Sequence, residues 1–125
     1  MRLIVLILAA ACANPALAQS WVGMLKNTPA ERFDKEDVRI FVATSDKALD
    51  ETPDGQTLSW ENPKTKHHGE ITVLKSYQSK ERACKDLRVR NEADGRKGDN
   101  KLSWCKVDGK WRLLSAAPLG KQKAK

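Results

Sequence analysis

With 125 residues the chain is sized for one domain, and no apolar run in it approaches the ~20 residues that cross a bilayer as a helix. Its net charge of +7 favours anionic partners such as lipid headgroups, lipopolysaccharide, cell-wall polymers or nucleic acid. Acidic residues are interspersed almost everywhere, however, and an exported domain with no anionic ligand fits the same composition.

Residues 1–18 read as a secretory signal. Arg2 supplies the positive start, Leu3 to Ala11 the apolar stretch, and Ala16-Leu17-Ala18 the small-x-small cleavage site. Cys12, preceded by Ala9-Ala10-Ala11, faintly resembles a lipoprotein cleavage box but lacks the usual Leu three positions upstream. Simple export is the stronger expectation, and a lipid anchor at Cys12 the alternative.

Residues 19–33 form a lead-in segment with few periodic apolar positions. Trp21, Val22, Met24 and Leu25 either dangle with it or pack on the domain. A helix follows. Asp34 suits its N-cap, Glu36 and Asp37 the first turn, and Phe33 with Val38 a hydrophobic staple. Val38, Phe41, Val42, Ser45 and Leu49 recur at helical spacing, and Pro53-Asp54-Gly55 ends the run.

From Thr57 the period shortens to two. Strands are expected near 57–60, 70–77, 83–90, 101–107 and 110–114, with Asn62 to Gly69 as a turn-rich connection. Asp94-Gly95 and Asp108-Gly109 are two-residue hairpin turns. Counting outward from the first turn sets Cys84 opposite Cys105, Leu87 opposite Leu102 and Lys85 opposite Trp104. The second sets Trp104 opposite Leu113 and Lys106 opposite Trp111. Alternation then gathers Leu87, Val89, Leu102, Trp104, Trp111 and Leu113 on the face the helix covers. Cys84 and Cys105 fall on the other face with Arg88, Arg90 and Arg112. One residue of slip would exchange the faces.

Without Cys12, the two remaining cysteines are an even pair in an oxidising compartment, so a Cys84–Cys105 disulfide is expected over two free thiols.

Little in the chain reads as an active site. His67 and His68 are the only histidines, and no Cys, Asp or Glu stands at a recognised ligand spacing beside them. They are weak metal candidates in a polar loop, and no metal or cofactor is expected. The serines lack a nucleophile-elbow context, and there is no phosphate-cradling glycine loop. Arg88, Arg90 and Arg112 are candidates for binding an anionic ligand, against the plainer reading of cations that keep a surface soluble. No aromatic alternates with them, which argues against nucleic acid. Lys121, Lys123 and Lys125 form a basic tail. Trp60, Trp104 and Trp111 read as core packing rather than a sugar platform.

Three motifs carry a family resemblance: Trp60-Glu61-Asn62-Pro63-Lys64-Thr65 followed by Gly69; Cys84-Lys85-Asp86-Leu87; and Trp104-Cys105-Lys106-Val107-Asp108-Gly109-Lys110-Trp111. Their order resembles the C-terminal domain of the 17-kDa surface antigen type proteins of Gram-negative bacteria. That pattern runs Trp-x-Asn-Pro-x-Thr-Gly-x-x-Gly, then Cys-basic, then Cys-basic-x-x-Asp-Gly-x-Trp, after a helix with an early acid, here Asp37. The likeness covers about residues 34–114. Lys66 stands where the pattern has Gly, and the glycine-rich, membrane-associating segment of many such antigens is absent. The resemblance implies an envelope protein without an assigned reaction.

The sequence therefore predicts an α+β fold, one N-terminal helix packed on a four- to five-stranded antiparallel sheet with one disulfide. The expected organisation is signal peptide 1–18, lead-in 19–33, domain 34–116 and basic tail 117–125. The expected role is that of a non-enzymatic exported envelope protein of the periplasm or outer membrane, a structural or binding accessory. Its partner would be another envelope protein or an anionic envelope polymer or lipid, with no nucleic acid and no transmembrane span in the mature chain. The alternative is a soluble basic periplasmic binding or inhibitor protein.

Overall fold

The computed structural model describes residues 20–119. The expected signal peptide with Cys12 lies outside the described residues, as do residues 120–125 of the basic tail. Two short 3-10 turns, Ser20–Met24 and Pro29–Arg32, lead into helix α1 (Lys35–Glu51). Five strands follow: β1 (Thr57–Glu61), β2 (His68–Ser79), β3 (Arg82–Ala93), β4 (Arg96–Val107) and β5 (Lys110–Pro118). They form one antiparallel sheet in the order β1-β2-β3-β4-β5.

The helix starts where its capping residues dictate. The Asp34 side chain accepts from the Asp37 backbone N–H (2.8 Å), and the Asp37 carboxylate accepts from the Asp34 N–H (2.9 Å). Two amides with no partner inside the helix are thereby satisfied. Phe41, Val42, Ser45, Ala48 and Leu49 form the buried stripe, and the Ser45 hydroxyl donates back to the Phe41 carbonyl (2.8 Å). Pro53 and the left-handed Gly55 (φ 87°) then turn the chain into β1.

The register agrees with the count from the hairpin turns. Cys84 pairs with Cys105, Leu87 with Leu102, Trp104 with Leu113 and Lys106 with Trp111. Asp94-Gly95 and Asp108-Gly109 hold positive φ at both positions, as two-residue hairpins with the right twist require. The β2–β3 turn does the same with Lys80 (φ 51°) and Glu81 (φ 66°), side chains that disfavour that conformation. Pairing shifts by one residue at Leu74 in β2 and at Leu114 in β5, both exposed.

One face of the sheet carries Trp60, Ile71, Val73, Leu87, Val89, Leu102 and Trp104 against Phe41 and Leu49 of the helix. The lead-in joins this core. The Trp21 ring meets those of Phe41 (5.4 Å) and Trp104 (4.9 Å), and Val22, Leu25 and Ala30 are buried. Pro29 seats directly over Gly98, where a Cβ would come within 2.5 Å of its ring. The opposite, open face carries the Cys84–Cys105 disulfide (Cα–Cα 4.0 Å), and both cysteines are buried.

Two outcomes follow. Replacing Lys80 by Asn and Glu81 by Gly should stabilise the domain by about 1 kcal/mol, because the strained turn is relieved. A melting temperature several degrees higher would register this. Alkylation of native protein should leave Cys84 and Cys105 unmodified until reductant is added, and reduction should then cost about 3 kcal/mol in denaturant titrations.

Candidate functional site

The densest polar constellation lies where the start of α1, the 62–67 loop and the β3–β4 turn meet. The loop is folded on itself. The Asn62 amide N–H donates to the His67 carbonyl (2.9 Å), the Lys66 N–H to the Asn62 carbonyl (2.8 Å), and the His67 N–H to Thr65 Oγ1 (3.1 Å). The Lys64 N–H donates to Asn62 Oδ1 (3.0 Å), and Lys66 closes the loop at φ 69°.

This fold aims three side chains at one carboxylate. Asp37, fully buried, accepts from Asn62 Nδ2 (2.8 Å) and Thr65 Oγ1 (2.8 Å) on Oδ1, and from His67 Nδ1 (2.7 Å) on Oδ2, beside its cap bond from the Asp34 amide. The far nitrogen of His67 reaches Asp94 Oδ1 in the β3–β4 turn (2.8 Å). Phe33 stacks on the imidazole (6.4 Å between ring centres). Alongside, Trp60 Nε1 donates to Asn91 Oδ1 (3.0 Å) across Gly69. A Cβ at Gly69 would fall 2.1 Å from Asn91 Oδ1 and 2.5 Å from Trp60 Nε1, so only glycine leaves room for this bond.

The geometry sets the charge state. Ionised carboxylate oxygens only accept, so an imidazole between two of them can satisfy both only as the doubly protonated cation, which the arrangement favours. The hydrogen bond to Asp94 raises the His67 pKa most; burial opposes it, and the bond to Asp37 and the two negative charges add to the rise. For Asp37, burial pushes the pKa upward, but the four donated bonds outweigh it and hold the carboxyl below its ordinary range.

The two histidines diverge. His67 turns into the helix side of the sheet, whereas His68 faces the open side, with Nε2 3.2 Å from Glu92. His68 and Glu70 line a shallow groove of about 650 Å³ with Arg90, Glu92, Lys97 and Asp99. Within it Lys97 stands 3.6 Å from Glu92 and Arg90 3.5 Å from Asp99. Among the described residues, no group of three or more His, Cys, Asp or Glu side chains is arranged to hold a metal.

The three arginines expected on the open face lie there but do not converge. Arg88 donates from Nε (2.9 Å) and Nη2 (2.6 Å) to both oxygens of Asp99, which Arg90 also approaches. These contacts, led by the Arg88 bond, hold the Asp99 carboxyl below its usual range. Arg112 sits in the Cys84–Cys105 row, two strands over from Arg88 and four β3 residues away along the strand direction, roughly 16 Å in all. Beside the disulfide, the Tyr77 hydroxyl donates to the buried Asp86 (2.9 Å), and that carboxylate raises the Tyr77 pKa.

Fold and site together define a small disulfide-stapled α+β module whose motif side chains brace its own backbone. A family model described as 17 kDa outer membrane surface antigen matches residues 47–112, and the chain belongs to that family. It is similar to the 17 kDa surface antigen of Rickettsia prowazekii (29% identical over 84 residues, 66% of this chain and 53% of the relative). The antigen of Rickettsia felis is 30% identical over 85 residues, covering 66% of this chain and 54% of the relative. That of Rickettsia amblyommatis is 39% identical over 47 residues, 38% of this chain and 30% of the relative. The chain thus spans about half the length of the first two relatives. No solved structure matches it.

The bridge has a pH signature. Folding raises the His67 pKa, so its contribution is complete below about pH 6.5 and is lost as pH rises through the higher folded value. Folding lowers that of Asp37, so its contribution is present above about pH 4 and is lost as acid passes the lower folded value. Melting temperature should therefore peak in mildly acidic buffer and decline on the alkaline side. His67→Gln should flatten the alkaline decline. Asp37→Ala, which strands Asn62, Thr65 and His67, should cost about 3 kcal/mol.

Proposed function

We propose that this protein is a non-enzymatic, exported component of the cell envelope, acting as a structural or binding accessory of the periplasm or outer membrane. The observation that carries the reading is where the motif side chains go. Asn62, Thr65 and His67 all bond to the buried Asp37, and both His67 nitrogens are held by carboxylates. A general acid or base must reach its substrate, and a nucleophile needs a free base beside it. None of these groups meets either condition. The names of the relatives, which are surface antigens, agree with an envelope location.

In this reading residues 1–18 are removed on export, and the lead-in packs with residues 34–116 into one working domain that β5 extends to Pro118, ahead of the basic tail. Among the described residues no helix is long and apolar enough to cross a membrane. Attachment to the envelope would come through a partner or an anionic surface.

The test is intact mass with cell fractionation. Cleavage after Ala18 with recovery in an envelope fraction is the expected result; a chain beginning instead at a diacylglycerol-modified Cys12 would make the attachment covalent. Retention of residues 1–18 in a cytoplasmic fraction would overturn the proposal.

A further inference from the structure

We propose that the disulfide end of the open sheet face is a docking surface for anionic phospholipid headgroups, formed by Arg82, Lys110 and Arg112. Arg112 is the cross-strand partner of Cys105, which pairs with Cys84. Side chains two residues apart on a strand share a face, so Arg82, two before Cys84, and Lys110, two before Arg112, point the same way as Arg112. The three cations fall within a patch of roughly 10 by 7 Å. All are exposed, and none makes an ion pair among the described residues. They differ in this from Arg88 and Arg90, whose charges are answered by Asp99.

Charge differs between the two sides of the sheet at this end. The helix side is mixed: Asp46, Asp50, Glu51 and Asp54 stand there, with Asp50 accepting from Trp111 Nε1 (3.0 Å) and Asp54 from Ser76, beside Lys85 on the Ala48 and Thr52 carbonyls and Lys106 over the Trp111 ring. The open side carries the three cations without an ion pair among the described residues. An anionic plane would therefore favour the open face over the mixed helix side, biasing the orientation of the module. Discrete phosphates are held by converging, partly buried donors. Cations spread over an exposed sheet suit the diffuse field of a charged bilayer instead, within a Debye length of its surface. Leu114, 56% exposed at the β5 bulge just beyond Arg112, adds apolar surface beside the patch.

This inference rests on the envelope reading for its biological setting, but its test is independent of it. The exported protein, purified at known mass, is sedimented with phosphatidylglycerol-containing vesicles and with pure phosphatidylcholine vesicles. Binding to the anionic vesicles alone is expected, declining as salt is raised to 0.5 M on the order of a fewfold per step of screening. The triple variant Arg82→Ala, Lys110→Ala, Arg112→Ala should bind about 100-fold more weakly, at roughly fivefold per cation. Arg88→Ala should bind like the parent, and circular dichroism melts confirm that each variant is folded.

Equal binding to neutral vesicles, or an unchanged triple variant, would overturn the proposal. So would binding of soluble polyphosphate without vesicle binding, which would make the patch a site for a free anion. Vesicle binding by a protein that fractionates away from the envelope would uphold this inference and remove the cellular role.

Discussion

Four donors converge on the Asp37 carboxylate, and a carboxylate has about four lone-pair positions to offer. That saturation is what lets a fully buried charge persist without unfolding its surroundings. Each donor comes from a different step of the fold: the helix cap, the start of the 62–67 loop, its middle, and its exit into β2. The imidazole then carries the connection onward to Asp94 in the adjacent β3–β4 turn. Removing any one donor leaves buried polar groups unpaired, so the network functions as a unit.

This arrangement explains why the motif has the residue types it has. Asn62 both donates to Asp37 and accepts from the Lys64 amide, a double task that needs an amide side chain. Thr65 likewise donates to Asp37 and accepts from the His67 amide. Gly69 is empty space that Trp60 and Asn91 bridge. The polar residues of this motif fix one loop.

Much of the architecture was legible in the chain. The Asp34 cap, the helical stripe and two Asp-Gly turns located the helix, fixed two of the three two-residue hairpins and paired the cysteines, because each rests on local rules. The polar brace was harder to see because its members are distant in sequence. His67 looked like half of a loop pair with His68, yet stepping back by twos from Ile71 through Gly69 places it on the inward face. The same alternation from Leu87 and Val89 turns Asn91 inward, where it needs a donor. The lead-in gave no periodic signal, since its packing depends on single contacts such as Pro29 on Gly98. The β2–β3 turn has no glycine to announce it. Lys66 occupies a left-handed position that the family pattern gives to Gly, so the departure is absorbed as local strain rather than as a new function.

The strand order has a consequence for how the molecule forms. Every strand pairs with its immediate neighbour in the chain, and three of the four connections close over two residues. Contacts are therefore short in sequence, the loop-closure cost is small, and such topologies fold fast for their β content. Cys84 and Cys105 sit within a single hairpin and meet as soon as β3 and β4 zip together. Oxidation can then lock the centre of the sheet without waiting for β5.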